Sequence, residues 1–151
     1  MPDALALLLR EGRLRRERTS AQEVAGFLAI ARTALDDASI PALSPSGRFK
    51  HAYDAAHALA LCALRVNDVR PSTGLGHRAI VFEALPASIG IESKLASTLQ
   101  RYHTRRNKSE YEGLATVSDK EARELLTLAT TLHGRLVRWI GANRPQLLGQ
   151  P

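Results

Sequence analysis

Residues 44–65, SPSGRFKHAYDAAHALALCALR, constrain the fold more than any other stretch. Ser44 before Pro45 is a helix start, with the serine as cap and the proline, whose φ is already helical, as first helical residue. One stripe of the predicted helix carries Phe49, Ala52, Tyr53, Ala56, Ala60, Ala63 and Leu64, and the opposite face carries Ala55, Ala58, Leu59 and Leu61. A helix that is apolar on several faces belongs inside a bundle, and its small residues let neighbours approach closely.

The remaining segments supply the neighbours. A first helix is expected over 3–18, with Leu5, Leu8, Leu9 and Leu14 apolar and a basic end. A second follows Ser20, whose spacing to Glu23 fits a capping box, with Thr19 and Gln22 as another option. Its Val24, Phe27, Leu28, Ala31 and Leu35 keep a 3.6-residue period. Two prolines and a glycine in 39–47 end it. After a loop over 67–76, a short helix is expected over 77–86, with Ile80, Val81 and Leu85 buried and PASIG as its break. A fifth spans 91–112 on Ile91, Leu95, Leu99 and Tyr102, with Gly113 beyond its end. A last helix opens on the Ser118–Glu121 capping box and runs to Asn143, before Pro145. Alternating apolar patterns are almost absent, so no sheet is expected. The prediction is one all-α domain over 1–151, an up-and-down helical bundle of four to five long helices and a short one.

Composition narrows the setting. A chain of 151 residues can bury a core without a staple. The lone cysteine, Cys62, lies in the apolar run and reads as a small buried residue; without a disulfide partner it suits a reducing compartment. No run approaches the ~20 residues of a membrane span, and the acid and basic cluster near the start do not fit a signal peptide. A cytoplasmic protein with no membrane partner is expected.

The net charge is +6, and arginine supplies all but four of the 21 basic residues. The guanidinium fork matches phosphate and carboxylate geometry, which fits a nucleic-acid or nucleotide partner. Genomic bias towards alanine, leucine and arginine explains the same count equally well. The densest basic run, REGRLRRER over 10–18, is either a solvated face or a surface that steers an anionic polymer.

Three segments in order, SGRFKHAYDAAHALALCALR (46–65), GHRAIVFEAL (76–85) and LQRYHTRRNKSEYEG (99–113), resemble the HEPN domain family over just under half the chain. The resemblance implies an all-α bundle, commonly homodimeric. Many such proteins are metal-independent ribonucleases, often toxins paired with a nucleotidyltransferase-type antitoxin; others bind nucleotides or act as scaffolds. The family's nuclease signature is Arg, four to six residues, then His, with a polar residue after the Arg. Arg106-Asn107 matches its first half, but the position five residues after Arg106 holds Tyr111. A histidine can exchange a proton at neutral pH, whereas a tyrosine does so poorly. An inactive bundle that engages a protein partner is therefore the alternative to a ribonuclease.

On a helix, His103, Asn107 and Tyr111 form one polar stripe, and Arg106 lies in phase with Leu95, Leu99 and Tyr102. A cation on that apolar line needs a partner or a ligand, and Glu110 at i+4 is the nearest partner by sequence. The expected site thus has Arg106 stabilising phosphate, Asn107 orienting it, and His103 or Tyr111 transferring a proton. Arg101, Arg105, Lys108 and His77 are expected to add phosphate contacts. Arg70 to His77 fits the signature spacing only by crossing a loop, and reads as chance. His51, Asp54 and His57 spread over too much helix surface for a metal site and should bond within the bundle. No metal or other cofactor is expected. A phosphate-cradling glycine loop is absent, since GLG at 74–76 lacks the lysine and preceding strand. No helix-turn-helix signature supports a repressor-like DNA binder.

Overall fold

The computed structural model of the chain describes residues 3–73, 79–107 and 116–149. It is mostly helical, an all-α helical bundle with one small two-stranded sheet. In chain order the elements are α1 (Asp3–Arg10), β1 (Leu14–Arg16), α2 (Ala21–Ala38), α3 (Pro45–Arg65), β2 (Val69–Pro71), α4 (Ile80–Glu83), α5 (Leu85–Ile89), α6 (Ser93–Asn107) and α7 (Asp119–Asn143). A 3-10 turn, Pro145–Leu148, follows.

Helix α3 is the centre, as its alanine-rich faces require. Twelve of its residues are buried, from Phe49 to Arg65. Long-range side-chain pairs give the directions of the long helices. Glu23 at the start of α2 meets Arg65 at the end of α3, while Asp37 near the end of α2 meets His51. Those two helices are antiparallel. The end of α6 lies against the start of α3, through Tyr53–His103 and Phe49–Tyr102. Arg48 bonds Asp119 at the start of α7, and Arg144 beyond its end bonds the Val66 carbonyl. Helices α2, α3, α6 and α7 therefore run up and down in turn.

The caps are those the sequence signals. Ser44 Oγ accepts from the Gly47 amide, with Pro45 in the first turn. Ser118 and Glu121 complete a reciprocal capping box. Ser20 Oγ accepts from the Glu23 amide, but the Glu23 carboxylate does not return to the cap: it accepts from Thr19 Oγ1 and from Arg65.

Three expectations are corrected. The first helix stops at Arg10 instead of running to residue 18. Gly12 takes φ 75°, open to glycine at little cost, and the Gly12 and Arg13 amides bond the Leu9 and Leu8 carbonyls. The chain then turns into β1, which pairs antiparallel with β2, Arg15 opposite Arg70. So the loop expected over 67–76 contains a strand, and the chain has a small sheet where none was expected. Finally, the PASIG segment does not break a helix. Pro86 sits in the first turn of α5, where its missing N–H costs nothing, and Gly90 at φ 73° ends it.

Arg65 anchors the sheet to the bundle. Its side chain is 4% exposed. It donates to Glu23 (2.9 Å), to the Glu17 (2.8 Å), Val69 (3.0 Å) and Arg18 (3.1 Å) carbonyls, and lies 3.4 Å from the Glu17 carboxylate. Those contacts match the five N–H groups of a guanidinium. Next to it, Asp68 adopts φ 58°, a left-handed conformation that aspartate tolerates better than most residues. Its carboxylate accepts from the Thr19 amide and from Arg144.

Candidate functional site

The site lies where the last turns of α6 cross the first half of α3. Tyr53 and His57, four residues apart on α3, face α6 and the short α4. The buried hydroxyl of Tyr53 is 2.8 Å from Nδ1 of half-buried His103. The two rings lie 6.0 Å apart at 24°. Phe82 of α4 closes the cluster, 6.0 Å from Tyr53 and 6.1 Å from both His57 and His103. The guanidinium carbon of Arg106 stands 4.8 Å from the Tyr53 ring centroid, a cation–π contact.

This arrangement has a chemical capacity that simple packing lacks. A phenol can both donate and accept. When His103 is neutral with Nδ1 accepting, the Tyr53 O–H donates; when the ring is protonated, Nδ1–H donates to the same oxygen. The imidazole can gain or lose a proton without stranding its buried partner. Arg106, one turn along α6, sets a permanent positive charge over the Tyr53 ring, and Asn107 follows it as the last residue of the helix.

Arg106 is half-buried and lies against the Tyr53 ring. His103 joins it, and Asn107 shares the same turn. Arg101 is exposed one turn earlier. Arg105 is committed elsewhere. It bonds Glu121 at 2.7 and 3.3 Å and the Thr116 carbonyl, fastening α6 to the capping box of α7. That guanidinium and the cap hold the Glu121 carboxyl at about 2, far below its ordinary 4.5. Lys108, Glu110, Tyr111 and His77 lie outside the described residues. Tyr53, His57 and Phe82 are the members that sequence reasoning did not assign to the site. Their only signal was the Tyr53/His57 spacing of four on the central helix.

His51 is separate from the cluster, 4.0 Å from Asp37. Among the described residues, no three His, Cys, Asp or Glu side chains come together to hold a metal ion. A cavity of about 400 Å³ between α6 and α7, lined by Glu92, Lys94, Leu95, Thr98, Glu124 and Leu128, sits towards the other end of α6 and shares no residue with the cluster. Among the described residues no helix is long and apolar enough to cross a membrane. No protein-family model matches the chain, and neither a curated protein nor a solved structure matches it.

Proposed function

We propose that the chain is an HEPN-like protein that binds RNA or a nucleotide through the α6 turn His103–Arg106–Asn107. The observation that carries this reading is the Tyr53–His103 hydrogen bond under the Arg106 guanidinium. A proton-exchanging group lies beside a fixed cation that suits phosphate. In RNA cleavage, His103 would accept the 2′-hydroxyl proton as the 2′-oxygen attacks phosphorus. Arg106 would stabilise the charge gathering on the phosphoryl oxygens, Asn107 would orient the group, and the leaving 5′-oxygen would take a proton from water. Homodimerisation and pairing with a nucleotidyltransferase-type antitoxin belong to the same reading, as does a place in the cytoplasm.

The test is binding and cleavage of a labelled single-stranded RNA by wild type, Arg106→Ala and His103→Ala. Arg106→Ala should weaken binding at least tenfold, as expected for a charge-assisted contact of about 1.5–3 kcal/mol, and His103→Ala should abolish cleavage with binding retained. Intact RNA with every variant, and binding unchanged by Arg106→Ala, removes the reading. The second reading, an inactive interaction module, is favoured by the ring packing itself: Tyr53, His57, Phe82 and His103 also make a good structural cluster. On that reading Tyr53→Phe lowers stability and leaves RNA chemistry untouched.

A further inference from the structure

The arginines of this molecule divide into two populations. Those of the bundle are mostly neutralised: Arg48 by Asp119, Arg105 by Glu121, Arg135 by Glu92 and Arg144 by Asp68. In the run 10–18 the pattern reverses. Arg10, Arg15, Arg16 and Arg18 are all exposed and form no ion pair among the described residues. Arg10, Arg15 and Arg16 repel one another, which costs stability unless an anion lies against them, while Arg18 has the Asp68 carboxylate within its field.

The backbone beneath them is held with unusual thoroughness. A two-stranded ribbon is marginal by itself in water. Here Leu14 and Val69 are buried, and Arg65 grips the Glu17, Arg18 and Val69 carbonyls from inside. These bonds all go to the main chain, so the Arg15, Arg16 and Arg18 side chains stay directed to solvent from a fixed base. The ribbon also adjoins the candidate site. Arg13 forms a bidentate pair with Glu83 at 2.5 and 2.9 Å, and the residue before Glu83 is Phe82, a wall of the His103 cluster.

We propose that the β1–β2 ribbon is a docking surface for the phosphodiester chain of single-stranded RNA, extending past α4 from the Arg106 turn. The inference rests on the RNA reading above and adds the surface that gives it affinity. Arg15 and Arg16 leave the fixed strand on its two faces, and Arg10 and Arg18 flank it, so a chain crossing the ribbon has its phosphates neutralised without its bases being read. Binding there is sequence-independent and strongly salt-dependent.

Fluorescence anisotropy with a labelled single-stranded RNA, across a salt series, tests it on wild type, Arg15→Ala/Arg16→Ala and Arg106→Ala. Each lost phosphate contact should lower the salt slope by about 0.7, so the double variant loses about 1.4; between about 50 and 200 mM salt, wild-type affinity then falls about sevenfold more than that of the variant. Both substitutions are at exposed positions, and unchanged thermal melts verify that the double variant is folded. If the double variant keeps the wild-type slope and affinity while Arg106→Ala weakens binding, the ribbon proposal is overturned and the site reading stands. If the double variant loses affinity while Arg106→Ala does not, the ribbon stands and the site reading falls. Failure of wild type to bind at low salt overturns both.

Discussion

Arg65→Ala should be among the most destabilising single substitutions in this chain. It removes a guanidinium that is 4% exposed, leaves three backbone carbonyls without their donor and leaves the Glu23 carboxylate with the Thr19 hydroxyl but no cation. Truncating one partner of a buried ion pair costs about 3–5 kcal/mol. Glu23 is 37% exposed and can rehydrate in part, which pulls the figure down. The Val69 carbonyl is buried with its residue, and a stranded buried acceptor costs about 1–3 kcal/mol, which pulls it up. We expect a net loss of about 4 kcal/mol, a large share of the roughly 5–15 kcal/mol of a typical domain. Urea unfolding followed by far-UV circular dichroism measures it. With a urea slope of about 2 kcal/mol per molar, the midpoint should drop by about 2 M. Arg65→Lys retains charge opposite Glu23 but replaces a planar fork by one compact ammonium, and should recover at most half. A loss under about 1 kcal/mol for Arg65→Ala, or full stability with lysine, would refute the claim that the fork on the carbonyls anchors the ribbon.

Other outcomes follow from single groups. The folded-state depression of Glu121 to about 2 means its contribution is fully present above the unfolded value near 4.5 and disappears as pH falls through 2; Arg105→Ala should flatten that acid limb of the stability–pH profile by about 1–2 kcal/mol, the Ser118 bonds keeping part of the depression. Burial pushes the Cys62 thiol up to about 12, so a thiol reagent should leave the native protein unmodified at neutral pH and react quantitatively in urea; rapid native labelling would contradict the packing of α3. Ser118→Ala removes one arm of the capping box and should cost about 1 kcal/mol in thermal melts, with no effect if the cap is replaced by water.

Local chemistry made much of this fold legible. The Ser44-Pro45 and Ser118–Glu121 starts depend on residues within one turn, and α3 declares its central place through its own composition. Gly12 carried a readable stop, but the basic run beyond it continued a helix-like pattern and hid the turn. The ribbon was illegible because Arg15 and Arg70 meet only when α3 has carried the chain back. Arg65 looked like any last-turn arginine; what makes it an anchor is the approach of residues 17 and 18. The same division holds at the site. Phase alone distinguished Arg106 and His103 on α6, whereas the roles of Tyr53 and Phe82 exist only across helices.

The carboxylate of Asp68 ties together Thr19 and Arg144, residues from opposite regions of the chain. This has a consequence for the order of folding. Pairing of α2 and α3 closes a short loop and already brings Thr19 beside Asp68, while the Arg144 bond must wait until α7 has returned to the same end of the bundle, a later closure across a longer stretch of chain. That bond should then form after the rate-limiting barrier. Arg144→Ala should leave the refolding rate nearly unchanged and accelerate unfolding. The junction is thus a latch on how long the native protein persists, with little say in how quickly it is reached.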